Sequence, residues 1–245
     1  MSVERSAIKV AIAGALGKMG RVAVEAFRAS EEFEYAGGVA RQGDVAQQLY
    51  ASVEALLAER TPEVLLDLTT QPDSAVIAMK ALKAGVRTVV GASGWNADER
   101  DAFGRLAGER GIGAMIVPNF SVGAALMLRF AEEAARYFPS AEIIEMHRAE
   151  KKDKPSGTSL QTAARMERAS GILPEIHSVR LPGAIAHQSV VFGGQGELLT
   201  IRHDSLARES FVPGMFAAVR AVMNLRGLAI GLDSILDESL VSPST

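Results

Sequence analysis

Short apolar runs alternate with helical stripes through the first half of the chain. Residues 8–13 (IKVAIA) form a β-type run that leads straight into a glycine turn, Gly14 to Gly20 (GALGKMG). A stripe with Val22, Ala23, Ala26 and Phe27 at helical spacing follows. The pattern then predicts a strand over 35–40 and a helix over 45–59, broken at Thr61-Pro62. The run 64–68 (VLLDL) has the continuous apolar character of a parallel strand buried on both faces. A helix over 73–84, a strand over 88–90, a helix over 98–110 and a strand over 113–117 complete this part. Gly85 and Gly111 stand where helix C-caps are expected. Strand and helix alternate five times, which predicts an α/β domain with a Rossmann-type, doubly wound parallel sheet.

After Phe120 the rhythm changes. A long Ala/Leu/Met-rich helix is predicted over 122–138. Strands follow over 141–148, 175–181, 187–192 and 197–203, separated by turns such as LPG and GGQG. This reads as an α+β C-terminal domain with a mostly antiparallel sheet. The expected division is 1–121 for the dinucleotide-binding domain and 122–208 for a second domain. A helix over 211–225 within the segment 209–245 is expected to pack back on the first domain, and the tail 241–245 is expected to fray.

Composition narrows the classes. The 245 residues are 48% hydrophobic and 22% charged with a net charge of -3, which speaks against nucleic acid as the main partner. There is no cysteine, so disulfides, thiolate catalysis and Cys-ligated zinc fall away. No apolar run reaches the roughly 18 residues of a membrane span, and the first residues show no signal-peptide pattern. The expectation is a cytoplasmic protein without a membrane partner. His177, His187 and His203 have no H-x-x-H or H-E-x-x-H spacing, so no metal site is expected.

Two stretches carry chemistry. In the first, strand, glycine turn and helix stand in the order that a dinucleotide fingerprint requires, spaced G-x-x-G-x-x-G. Gly14 suits the tight turn, Gly17 a close backbone approach to a pyrophosphate, and Gly20 close helix–strand packing. Two further strand ends, GASG from Gly91 and PNFS from Pro118, converge on the same crevice. Where an acid would grip the adenosine ribose stand Ala40 and Arg41, a pattern that favours the 2′-phosphate of NADPH over NADH. The second stretch is 142–158, EIIEMHRAEKKDKPSGT. Strand alternation puts Glu145 and His147 on one face. Ser156 can cap a helix whose N-terminus receives an anion, with His147, Arg148, Lys151 and Lys152 as proton donors and charge partners.

This second stretch resembles the signature of the 4-hydroxy-tetrahydrodipicolinate (dihydrodipicolinate) reductase family, E-[I/V]-x-E-x-H-x-x-x-K-x-D-x-P-S-G-T-A, and departs from it only at Ser159. GALGKMG, VVGASGW, PNFSVG and RHDSLARESFVPG are similar to family loops, so the resemblance covers almost the whole chain. It implies His147 and Lys151 as the catalytic proton handlers. It implies Ser156, Gly157 and Thr158 as a carboxylate cradle, with Arg148 and Arg208 on the substrate side. Cofactor contacts are implied for Gly14, Ala15, Leu16, Gly17, Lys18, Met19, Arg41, Gly91, Ala92, Ser93, Val117, Pro118, Asn119 and Phe120. The implied reaction is NAD(P)H-dependent reduction of a cyclic imine dicarboxylate to tetrahydrodipicolinate in lysine and diaminopimelate biosynthesis, by a homotetramer. Arg148 stands where many members have a second histidine, and Ser93 and Trp95 replace Thr- and Phe-type residues expected near the nicotinamide. Two other readings fit the residue pattern: a Rossmann oxidoreductase for an aldehyde or sugar, and a catalytically inert NADPH sensor.

Overall fold

The computed structural model describes residues 6–236, so the tail 241–245 lies outside the described residues. The chain divides into two compact units, Met1–Phe120 with Phe211–Thr245, and Ser121–Ser210. Unit one contains β1 (Ile8–Ala13), α1 (Lys18–Ala29), β2 (Phe33–Val39), β3 (Leu49–Tyr50), α2 (Val53–Glu59), β4 (Val64–Asp67), α3 (Asp73–Lys83), β5 (Arg87–Val90), α4 (Ala97–Arg110) and β6 (Gly113–Ile116). Unit two contains α5 (Val122–Ala134), β7 (Ser140–His147), α6 (Gly157–Ser170), β8 (Glu175–Arg180), β9 (Ala186–Gly194) and β10 (Glu197–Ser205). The chain then returns to unit one with α7 (Val212–Asn224) and β11 (Gly227–Ile230).

Unit one is built on a seven-stranded parallel sheet in the order β11-β6-β5-β4-β1-β2-β3. The chain starts at β1, builds outward through β2 and β3, then turns back to β4 on the other side of β1. The carboxyl ends of β1 and β4 therefore flank the switch point where such sheets bind ligands. β4 is buried along its whole length because helices cover both faces of the sheet, which is why its sequence is an unbroken apolar run up to Asp67. On one side Leu56, Leu65 and Ala81 are buried together; farther along the sheet Leu82, Phe103, Ala114 and Ile116 form a second cluster. Phe216 of α7 meets Phe27 and Phe33 with ring centroids 4.8 Å apart, which ties the returning helix to α1 and β2.

Two expectations fail in unit one. The segment 45–59 is not one helix. It holds a 3-10 turn (Val45–Gln47), strand β3, and then α2. Gln48 sits in the left-handed region at φ 59°, which stops the turn, and Ser52 caps α2 by accepting from the Ala55 N–H. A two-residue strand between two short helical pieces keeps an average helical period, so periodicity cannot resolve it. The sheet also has seven strands rather than five. β11 is a four-residue run that pairs in parallel with β6 beyond the last predicted helix.

In unit two the sheet order is β10-β9-β7-β8, antiparallel except for the β7–β8 pair. Ile143, Val190, Phe192, Met166 and Ala131 form its core under α5 and α6. The predicted helix 122–138 ends at Ala134, and Phe138 instead packs on Phe192 with centroids 5.5 Å apart. Strand alternation turns Glu145 and His147 of β7 and Arg180 of β8 to the helix-covered face, while Glu142 and Ile144 face the other way.

Candidate active site

The glycine turn of unit one is shaped by three close approaches. Gly14 has φ +76°, and its N–H donates to Val39 O at 2.9 Å. A Cβ on Gly20 would lie 2.0 Å from the Gly14 carbonyl oxygen, so only glycine lets α1 start this close to the turn. Gly17 is the N-cap of α1 and offers no side-chain bond to the first N–H groups, leaving them to an anionic ligand. Beside the turn lies a cleft of about 590 Å³ lined by Gly14, Gly17, Arg41, Thr69, Thr70 and Asp73. Its shape and its uncapped helix start fit a nicotinamide dinucleotide. Arg41 is 95% exposed and makes only a 3.4 Å ion pair with Asp73, a contact too weak to hold it in place.

The T-T loop after β4 was not singled out from the sequence, and a buried carboxylate shapes it. Asp67 accepts from the Thr69 N–H at 2.9 Å, from the Thr69 hydroxyl at 2.6 Å, and from the Ser74 hydroxyl. Burial pushes its carboxyl above the usual range, against the pull of those hydroxyls. The other two strand ends stand close by in the same unit. Gly91 donates to Asp67 O at 2.8 Å, and a Cβ there would lie 2.8 Å from the Phe120 ring. Ala15, Ala92, Val117 and Phe120 have buried side chains, so only their main chain can face a cofactor, whereas Leu16, Lys18, Ser93 and Pro118 are exposed. Met19 and Asn119 are half-buried. Trp95 is 5% exposed and packs against Phe103 with ring centroids 5.1 Å apart and the planes tilted by 49°.

In unit two, β7 ends at His147 and delivers its ring next to Glu145, which is fully buried. The Glu145 carboxylate receives a two-pronged guanidinium from Arg180, Nη1 to Oε2 at 2.9 Å and Nη2 to Oε1 at 2.7 Å. Burial alone would raise the Glu145 carboxyl, but the bonds from Arg180 and His147 outweigh it and hold it below the usual range. An ionised carboxylate can only accept, so His147 donates from Nδ1 to Glu145 Oε2 and keeps Nε2 for a ligand. Burial lowers the His147 pKa, Lys151 and Arg180 add to that, and Glu145 opposes it.

Lys151 follows on a tight turn in which its N–H donates to Arg148 O at 3.1 Å. Its Nζ lies 2.7 Å from Asp153 Oδ2, and this contact holds the Asp153 carboxyl low. The loop ends at Ser156, the buried N-cap of α6, whose hydroxyl accepts from the Ser159 N–H at 3.2 Å. Ser159 is buried and donates its hydroxyl to Ser156 O at 2.9 Å, so the serine that departs from the family signature braces the helix start. Gly157 is exposed and Thr158 half-buried on the first turn. His147, Lys151 and the α6 N-terminus thus belong to one continuous strand–loop–helix. Arg148 is exposed at its start, and Arg208 stands exposed in the short turn Arg208–Phe211. Arg180 was missed from sequence. Among the described residues no three His, Asp or Glu side chains are grouped to hold a metal ion.

Residues 8–120 match the family described as dihydrodipicolinate reductase, N-terminus, and residues 123–236 match its C-terminus. The chain is 40% identical to the 4-hydroxy-tetrahydrodipicolinate reductase of Moorella thermoacetica, over 94% of this chain and 98% of the relative. It is 42% identical to that of Geobacillus kaustophilus, over 94% and 99%. Among solved structures, the dipicolinate-bound dihydrodipicolinate reductase from Paenisporosarcina sp. TG-14 superposes with a TM-score of 0.85 at 36% identity, covering 94% of this chain and all of that one. GenD2 from gentamicin A biosynthesis, in complex with NAD, shares the fold with a TM-score of 0.65 at 15% identity, covering 94% of this chain and 90% of that one.

Proposed function

The chain belongs to the dihydrodipicolinate reductase family, and from that premise we propose how its residues divide the work. The reaction is the NAD(P)H-dependent reduction of 4-hydroxy-tetrahydrodipicolinate to tetrahydrodipicolinate, in which the 4-hydroxyl is lost as water, a step of lysine and diaminopimelate biosynthesis. Bound cofactor supplies the hydride. Unit one holds the pyrophosphate on the α1 N-terminus, with the main chain of Gly14 to Met19, Gly91 to Ser93 and Val117 to Phe120 around the dinucleotide. Unit two takes the dicarboxylate. The N–H groups of Gly157 and Thr158 receive one carboxylate at the start of α6, Ser156 fixes that helix start, and Arg148 and Arg208 supply further positive charge. His147 and Lys151 deliver the proton that completes the reduction, and the Lys151 ammonium offsets the negative charge that builds on the ring.

The observation that carries this reading is the buried Glu145 that orients His147 beside Lys151, directly ahead of an α-helix N-terminus. The test couples the purified protein to dihydrodipicolinate synthase supplied with pyruvate and aspartate semialdehyde, following NADPH loss. The expected result is substrate-dependent oxidation; none at high enzyme concentration would refute the reading.

NADPH is the preferred cofactor and NADH the weaker one. Support comes from Arg41 on the cleft wall, held only by a weak exposed pair and free to meet a 2′-phosphate. A charge-assisted bond of this kind is worth about 1.5–3 kcal/mol. Arg41→Ala is therefore expected to lower kcat/KM with NADPH by about 10–150-fold, the same range as a ratio, and to leave NADH little changed. Equal losses with both cofactors, or a wild-type preference for NADH, would count against it.

A homotetramer completes the reading. The unit-two helices pack on one face of the four-stranded sheet, and the opposite face carries Ile144 at 41% and Leu198 at 77% exposure. A second copy would cover such a face. Sedimentation at equilibrium is expected to give four chains, and Ile144→Asp with Leu198→Asp to reduce that number; a monomeric wild-type protein would rule it out. No described helix is long and apolar enough to cross a membrane, and we place the reaction in the cytoplasm.

A further inference from the structure

Arg180 is a buried guanidinium that the reaction as proposed does not use. It stands opposite His147 in the parallel register of β7 and β8, with 5% of its side chain exposed. A guanidinium carries five N–H donors. All five are occupied here. Nη1 donates to Glu145 Oε2 at 2.9 Å and to Val179 O at 2.7 Å; Nη2 donates to Glu145 Oε1 at 2.7 Å and to Asp153 O at 2.6 Å; Nε donates to Lys151 O at 3.3 Å. Two acceptors are the carboxylate oxygens of the residue that holds His147, and two are main-chain carbonyls of the loop that carries Lys151. A buried ion pair contributes little net stability over an apolar replacement, so stability alone does not account for this arrangement.

We propose that Arg180 is the positioning residue of the proton-transfer site: through Glu145 it sets the tautomer and orientation of His147, and through the carbonyls of Lys151 and Asp153 it holds the loop that presents the Lys151 ammonium. This rests on His147 and Lys151 being the proton handlers. One side chain thereby couples two groups on separate segments, which simple packing of β8 would not do. The groups that face His147 are Glu145 on its own strand, Arg180 on β8, and Lys151 in the loop, with Asp153 behind Lys151. The buried polar residues of α6 and β9 on this face are Ser159, Thr162 and Gln188, none of which titrates. Glu145 favours a proton on the imidazole, and the Arg180 charge beside it offsets part of that pull. Without that charge the His147–Glu145 pair binds a proton more tightly, and its apparent pKa moves up.

Two variants separate the two functions, in the full-length protein. R180Q removes the charge and the fork; R180K keeps a charge but cannot span a carboxylate and two carbonyls at once. Both are expected to lower kcat by about 10²-fold, the scale of a misplaced catalytic group, with the NADPH dissociation constant unchanged. The His147 imidazole, followed by NMR and assigned by its absence in H147A, is expected to titrate at higher pH in R180Q and at the wild-type pH in R180K. Wild-type kcat in folded R180K overturns the proposal, whether or not R180Q folds. So does an R180Q protein whose His147 titration has not moved. H147A and K151A run alongside: if they keep full kcat, the proton-handling reading falls and this inference with it, whereas if they lose it and R180K does not, only this inference falls.

Discussion

Replacing His147 by alanine is expected to lower kcat by about 10²–10⁴-fold, the usual contribution of a positioned acid or base. Cofactor binding, read by quenching of NADPH fluorescence, is expected to stay at the wild-type level, because His147 belongs to unit two and the glycine turn to unit one. The size follows from the geometry. Glu145 engages Nδ1, which leaves Nε2 as the ring nitrogen available to a substrate. No other imidazole can take over: His177 pairs with Glu142 on the opposite face of the sheet, His187 pairs with Asp204, and His203 is bonded through Nε2 to the Ser121 hydroxyl at 3.0 Å. Lys151→Ala is expected to cost a similar factor, since its ammonium is fixed by Asp153 and by the turn to Arg148. The two losses are not expected to add, because both residues serve one proton-transfer event. Full kcat in both single variants would remove His147 and Lys151 from the mechanism while leaving the reaction itself in place.

The alternation of strand and helix in unit one was legible because its central strands are buried on both faces and so are mostly apolar. β3 was not, because two residues are too short to impose a period, and β11 was not, because it is an edge strand only partly buried and lacks the fully buried run of β4 or β6. The strand–loop–helix of unit two was legible because its chemistry is contiguous in the chain. Arg180 lies 35 residues beyond Glu145, and only the parallel register of β7 and β8 brings the two together. A signal for it did exist. In EIHSVR, alternation puts Ile176, Ser178 and Arg180 on one face, and an arginine on the core face of a strand requires a buried carboxylate. Glu145 supplies that carboxylate on the adjoining strand. Trp95 was less legible: it stands in a cofactor-like loop, and its indole reaches back onto Phe103 and is buried.

Gly20→Ala is expected to abolish measurable cofactor binding and to destabilise the protein by about 1–3 kcal/mol, the usual cost of forcing a methyl group into filled space. The neighbours leave no alternative. The added Cβ would sit 2.0 Å from Gly14 O, 2.8 Å from Gly14 C and 2.9 Å from Ala15 C, all main-chain atoms. Gly14 cannot retreat, because it is held at φ +76° with its N–H on Val39 O, and Leu68 main-chain atoms lie 3.0 Å from where its own Cβ would be. The helix must move instead, which carries the Gly17 N-cap and the N–H groups behind it away from the pyrophosphate. Gly108→Ala is the matched control. It lies within α4 with nothing within 4 Å of its Cβ position, so the same substitution is expected to stabilise by about 0.5–1 kcal/mol. Calorimetric titration with NADPH and chemical denaturation of both variants check the pair. Wild-type cofactor affinity in Gly20→Ala would mean that the α1 N-terminus does not hold the phosphates. The opposite signs of the two substitutions rest on one difference, whether the methyl group meets main chain or solvent.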